Sequence, residues 1–193
     1  MKSVLLSIRP KWCEKICREI GKDKNGKLIY EKQIEVRKGK PREVPCRVFI
    51  YETKNSKGLE GWTILGTYRM GKVIGEFVCD KITTYAGEFW DDETEEEVRE
   101  RYEPSDFDEF GEYEYPLLSS RHNDDEPLKG SGLSWEDCRE YFGKGDCTFY
   151  GWHISDLKIY DKPKELSEFR KMNGRPIKRA YQSWGYCCDE KEN

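Results

Sequence analysis

The chain has 193 residues, of which 36% are hydrophobic, 37% charged and 13% aromatic, and its net charge is −4. Six Trp, twelve Tyr and eight Phe can bury too much area for a disordered chain, and no run approaches the roughly 18 apolar residues of a membrane span. The length is near what one core supports, so a single domain over 1–193 is expected.

The first strand is expected at 3–8, followed by a helix over 9–21. Pro10 suits its first turn, Gly21 stops it, and Trp12, Cys13, Ile16, Cys17 and Ile20 form one apolar stripe. Arg9 ends the strand beside the helix N-terminus, where it can meet an anion or simply point to water. Asn25-Gly26 signals a tight turn, so 22–30 reads as a hairpin or loop inserted before a strand at 31–38.

In that strand, alternation puts Lys32, Ile34, Val36 and Lys38 on one face and Gln33, Glu35 and Arg37 on the other. Glu35 and Arg37 form either a surface ion pair or a donor–acceptor set for a planar polar group such as a nucleobase. Lys32 adds a phosphate contact or, if desolvated, a general base. Residues 1–60 carry sixteen Lys and Arg against eight acids, which suits a polyanion but also an ordinary solvated surface.

A central strand is expected at 46–54, a loop at 55–61, and a longer strand at 71–85 with a bulge at Gly75. Residues 88–115 hold fourteen acids and two Arg, a net of −12, which leaves +8 for the rest of the chain. Within this acidic stretch a short helix at 94–102 is expected, capped by Thr94, and 103–132 reads as loop. A second helix covers 134–142, with Ser134 and Asp137 as a capping pair and Gly143 as the stop. A strand at 147–163, bent at Gly151, leads through a helical turn near 164–170 to a last strand at 181–188. In the 147–163 strand His153 and Ser155 share a face opposite Trp152, and no nucleophile elbow surrounds the serine.

The eight cysteines form no C-x-x-C pair and the two His are isolated, so neither a metal nor a cofactor is expected. With no leader segment recognisable, a cytoplasmic chain with reduced thiols is expected, and Cys13 and Cys17 read as small buried apolar residues. Glycine-rich phosphate loops are absent. Five or six strands with two substantial helices predict an α+β fold, a small mixed β-barrel with two or more flanking helices. A doubly wound sheet would need a helix between most strand pairs.

The ordered blocks SIRPKWCEKI, EKQIEVRKGKP, VFIYETK, GKVIGEFVCDKI, LSWEDCREYFGKG, YGWHISDLKIYDKPKEL and QSWGYC resemble ASCH-domain proteins of the PUA-like superfamily. The similarity is greatest to small bacterial and phage-borne members. It spans nearly the whole chain, except for 22–30 and an acidic insert at about 88–132. The family pattern Gly-x-Lys-x-x-Glu-x-Arg is matched at Lys32, Glu35 and Arg37, with Tyr30 in the glycine's place. The resemblance implies a cleft between the first helix and the barrel that takes single-stranded RNA or a modified nucleoside.

The residues assigned to such a cleft are Arg9, Trp12, Lys32, Glu35, Arg37, Lys38, Lys54, Trp152, His153, Ser155 and Trp184, with a tryptophan as the stacking surface. The chain is expected to act without a membrane and as a monomer. Related acetylcytidine amidohydrolases use the motif lysine and a threonine three residues later. Here that threonine position holds Glu35, which favours binding over hydrolysis and leaves Lys32 and Glu35 as the acid/base residues of an alternative hydrolase or ribonuclease.

Overall fold

Strand β1 (Ser3–Ile8) is buried along its whole length, as a central strand covered on both faces should be. The structure is a computed structural model that describes residues 3–54, 70–89, 128–143 and 145–189. The expected helix at 94–102 and loop at 55–61 lie outside these residues.

Helix α1 (Pro10–Cys17) is shorter than its apolar stripe predicts. Arg18 is extended, with φ −79° and ψ 114°, and 19–22 becomes strand β2 (Glu19–Lys22), paired antiparallel with β3 (Leu28–Tyr30). The chain returning from this hairpin takes over the helix's last carbonyls: Glu31 N donates to Arg18 O (2.9 Å) and Lys32 N to Lys15 O (3.1 Å). Ile20, expected on the buried stripe, is consequently 59% exposed. Asn25-Gly26 forms the turn, and Asp23 Oδ1 accepts from the Asn25 and Lys27 amides.

Strand β4 (Ile34–Arg37) is followed by β5 (Cys46–Glu52), β6 (Val73–Cys79), β7 (Ile82–Phe89), α2 (Trp135–Phe142), β8 (Gly145–His153), β9 (Ser155–Lys164), a 3-10 turn (Leu166–Glu168), β10 (Phe169–Lys171) and β11 (Trp184–Asp189). A six-stranded sheet runs β10-β11-β1-β5-β6-β9, and a three-stranded sheet runs β4-β8-β7. Among the described residues only β1 and β5 pair in parallel, joined by the crossover that contains α1.

The fold is therefore α+β and rich in strands. Among the described residues no ring of strands closes into a barrel: β10 and β9 remain the two edges of the larger sheet. The expected strands at 71–85 and 147–163 each divide in two, at Asp80–Lys81 and at Ile154, and each sends one half to each sheet. Gly75 sits at the expected bulge, where an added Cβ would lie 2.5 Å from Lys158 O.

Three apolar layers follow from this stacking. Between the sheets lie Val4, Leu6, Ile8, Val48, Ile50, Ile74, Phe77 and Trp152, with Cys13 and Ile16 of α1, and Cys17 packs against them. Phe49, Phe169 and Ile177 belong to a cluster on the other face of the six-stranded sheet. Ile34, Val36, Tyr85, Phe149, Cys138 and Phe142 fill the layer beneath α2, together with Leu128 and Leu133. Helix α2 begins as expected: Asp137 N donates to Ser134 Oγ (3.1 Å) and Ser134 N to Asp137 Oδ2 (3.1 Å).

Candidate functional site

Because β4 begins only at Ile34, Lys32 is not held to the strand's alternation. The expectation that Lys32 and Glu35 point to opposite faces fails for that reason, and the two meet at i and i+3. Lys32 Nζ lies 3.3 Å from Glu35 Oε2, and the Arg37 guanidinium grips Glu35 Oε1. The three side chains are buried, Lys32 to 1% and Glu35 to 2% exposure. Glu35 and Arg37 face the layer between the sheets, as does Trp152, which pairs with Glu35 across β4 and β8. This face is interior, not a solvated strand edge.

The fixed partners of the triad are backbone carbonyls. Arg37 donates to Ser7 O (2.8 Å) and to Val36 O (2.9 Å), and the Lys32 ammonium donates to Ser131 O. Gly130 (φ +82°) and Gly132 (φ +69°) adopt the left-handed backbone that bends the chain on either side of Ser131. Residues 128–133 thus close over Lys32, with Gly130 O accepting from the Gln33 and Ile34 amides (2.6 and 2.8 Å) and Gly132 O from Lys15 Nζ (2.7 Å).

Two cations share one carboxylate here, and not every atom finds a partner. Glu35 Oε2 and Arg37 Nε are buried without a hydrogen bond among the described residues, although Oε2 stays within Coulombic reach of Lys32. Burial pushes the Lys32 ammonium below the ordinary lysine range, against the pull of Glu35 and assisted by the positive Arg37. A desolvated amine next to an under-bonded carboxylate can exchange a proton or hold a polar ligand.

Trp12 of α1, half-buried, packs against both inner layers. Lys11, Lys15 and Lys32 place their ammonium groups 4.6, 5.3 and 5.2 Å from its ring centroid. Sequence spacing pointed to Trp12 and Lys32 but missed Lys11 and Lys15; their i, i+4 spacing on the helix that carries Trp12 was the available signal. Ser131 lies about a hundred residues from the strand it caps, and nothing local in the sequence betrays it.

The other expected residues are dispersed. Arg9 is exposed and lies 3.7 Å from Glu140. Lys38 lies over the Tyr141 ring (5.7 Å), while Lys54 is exposed on the loop after β5. Trp152 is fully buried and donates to Gly39 O (3.1 Å), and half-buried Trp184 packs edge-on against it. His153 shares a 2.8 Å hydrogen bond with Thr83, and Ser155 donates to Asp80 (2.7 Å). Burial, aided by Lys81, lowers the His153 imidazole below its ordinary range, and Asp80 opposes this. Among the described residues no three His, Cys, Asp or Glu side chains group as metal ligands.

Solved structures align with the chain along nearly its full length. ASCH from Zymomonas mobilis is 19% identical with a TM-score of 0.49, covering 99% of this chain and 91% of that chain. One single-residue mutant of the same protein gives 18% identity and a TM-score of 0.49, and another gives 17% and 0.48. The chain is similar to ASCH-domain structures. No family model and no curated protein matches it. No helix among the described residues is long and apolar enough to cross a membrane.

Proposed function

We propose that the chain binds single-stranded RNA or a modified nucleoside between α1 and β4. Lys32, Glu35 and Arg37 form the floor of that site, and Trp12 with Lys11 and Lys15 forms its rim. The observation that carries this reading is the set of three ammonium groups around one tryptophan ring, one of which, Lys32, also lies 3.3 Å from a buried carboxylate oxygen that lacks a hydrogen bond among the described residues. Cations beside an aromatic face suit a phosphate and its stacked base, and a carboxylate oxygen accepts from an exocyclic amine. A ligand acceptor would replace the Ser131 carbonyl on Lys32, so residues 128–133 must shift to admit it. The resemblance of the sequence blocks to ASCH domains points the same way.

Fluorescence anisotropy with short single-stranded RNA at low salt tests the reading. Trp12→Ala and Lys15→Ala are expected to weaken binding about tenfold each, in line with the loss of one stacked base or one charge-assisted contact. Unchanged affinity in both, with folding verified by circular dichroism, sinks the proposal.

The lowered Lys32 ammonium supports a second reading, in which Lys32 and Glu35 act as base and acid on a modified nucleobase or on RNA. Turnover of acetylated cytidine or RNA without added metal, lost in Lys32→Ala, would establish it. Binding without turnover would dismiss it.

A further inference from the structure

Half of the sixteen cations in the first third of the chain meet acids in the fold. Arg9 meets Glu140, Lys11 meets Asp137 (2.7 Å), Lys15 meets Glu31 (3.5 Å), and Arg18 meets Glu14 and Glu31. Lys27 reaches Asp156 (3.8 Å), Lys32 and Arg37 share Glu35, and Arg47 reaches Glu76 (2.6 Å).

Residues 169–180, FRKMNGRPIKRA, contain five cations and no acid. They comprise edge strand β10 and the turn that follows it. Phe169 (0% exposed) and Ile177 (1%) anchor it in the outer apolar cluster, and Ile177 N donates to Phe169 O at 2.9 Å. Lys171 N donates to Arg175 O (2.8 Å), Gly174 N to Lys171 O (2.8 Å), and Arg175 N to Asn173 Oδ1 (3.2 Å).

On this braced frame Lys171, Arg175, Lys178 and Arg179 are exposed, with no ion pair among the described residues. The two acids that lead into the turn are engaged elsewhere: Glu165 takes Lys72 (2.8 Å), and Glu168 accepts from the Glu165 amide (2.7 Å). Met172, at the tip, is 58% exposed.

We infer that this turn is a phosphodiester-binding surface, docking the backbone of a single-stranded nucleic acid away from the α1–β4 site. The backbone at Lys171 and Arg175 is already fixed by its own hydrogen bonds, so it has little freedom left to lose on meeting a row of phosphates, and each cation–phosphate contact displaces condensed counterions. The assignment rests on the nucleic-acid reading above only for the partner's identity. The location of the surface follows from the charge distribution alone. A charged edge also discourages strand-to-strand association, and the test separates that role from binding.

The test measures anisotropy of a short single-stranded RNA across a salt series with the full chain. The triple variant Arg175→Ala, Lys178→Ala, Arg179→Ala is expected to weaken low-salt binding at least about tenfold and to lower the slope of log K against log salt by about 2, at about 0.7 per contact. Lys22→Ala, Lys24→Ala on the β2–β3 hairpin is expected to leave the slope unchanged. A slope unaltered in the triple variant overturns the inference, as does an equal effect on binding to polyglutamate. Aggregation of the triple variant with unaltered RNA binding assigns the cations to edge protection and also overturns it. If the triple variant responds and neither Trp12→Ala nor Lys15→Ala does, the α1–β4 reading fails and this one stands. The reverse pattern sinks this inference alone.

Discussion

Lys32 and Arg37 on one side of the molecule, and Lys171, Arg175, Lys178 and Arg179 on the other, are the same residue types in opposite surroundings. The first pair is withdrawn from water against a single carboxylate and backbone carbonyls. The second set stands in solvent on a backbone braced by its own hydrogen bonds. Charges of the first kind are coupled to folding, because stripping away one partner leaves another buried and uncompensated. Charges of the second kind cost the fold almost nothing and remain available to an external polyanion. A count of Lys and Arg alone, without the acids that meet them in the fold, is thus a poor guide to where a cationic surface lies.

The largest expected effect breaks the buried side of this contrast. Glu35→Ala leaves two cations facing each other and is expected to cost about 3–5 kcal/mol in urea unfolding; a loss under about 1 kcal/mol would show that the triad is not coupled to folding. Gly151→Ala is next. Its Cβ would lie 2.8 Å from both Ile34 Cγ2 and Tyr85 Cε2, prying β4 from β8 beneath the triad, and about 1–3 kcal/mol is expected from overpacking. Wild-type stability here would mean that the three-stranded sheet adjusts freely.

A pH series sharpens the comparison further. Burial holds the folded-state Lys32 below its usual 10.5, so the folded chain binds this proton less tightly than the unfolded chain. Stability from this group accordingly rises as pH climbs toward 10.5, and urea midpoints of Lys32→Met should show a flatter rise than those of the parent. The smallest effect is expected on the exposed side: Arg175→Ala, Lys178→Ala, Arg179→Ala should stay within about 0.5 kcal/mol of wild type per site. A cooperative loss well beyond that, seen by thermal melting, would mean that the turn's cations are structural.

Legibility differed by range. The strand at 3–8, the Asn25-Gly26 turn, the Ser134–Asp137 cap and the bulge at Gly75 were all readable, because each depends on residues a few positions apart. The end of α1 was not, because the β2–β3 hairpin and the amides of Glu31 and Lys32 compete for the chain there. The meeting of Lys32 with Glu35 was also hidden, since simple alternation assumed a strand from residue 31, whereas β4 starts three residues later.

Composition and short-range pattern by themselves determined an α+β chain, the Ser134–Asp137 cap, the Asn25-Gly26 turn, and a motif of Lys32, Glu35 and Arg37 close in sequence. Only the tertiary structure decided that this motif faces inward, that Ser131 reaches it from about a hundred residues away, and that Lys11, Lys15 and Arg18 meet acids while Lys171, Arg175, Lys178 and Arg179 have no ion pair among the described residues. The physical reason is that burial and ion pairing are set by which distant segments the stacked sheets bring together, and no local periodicity encodes that.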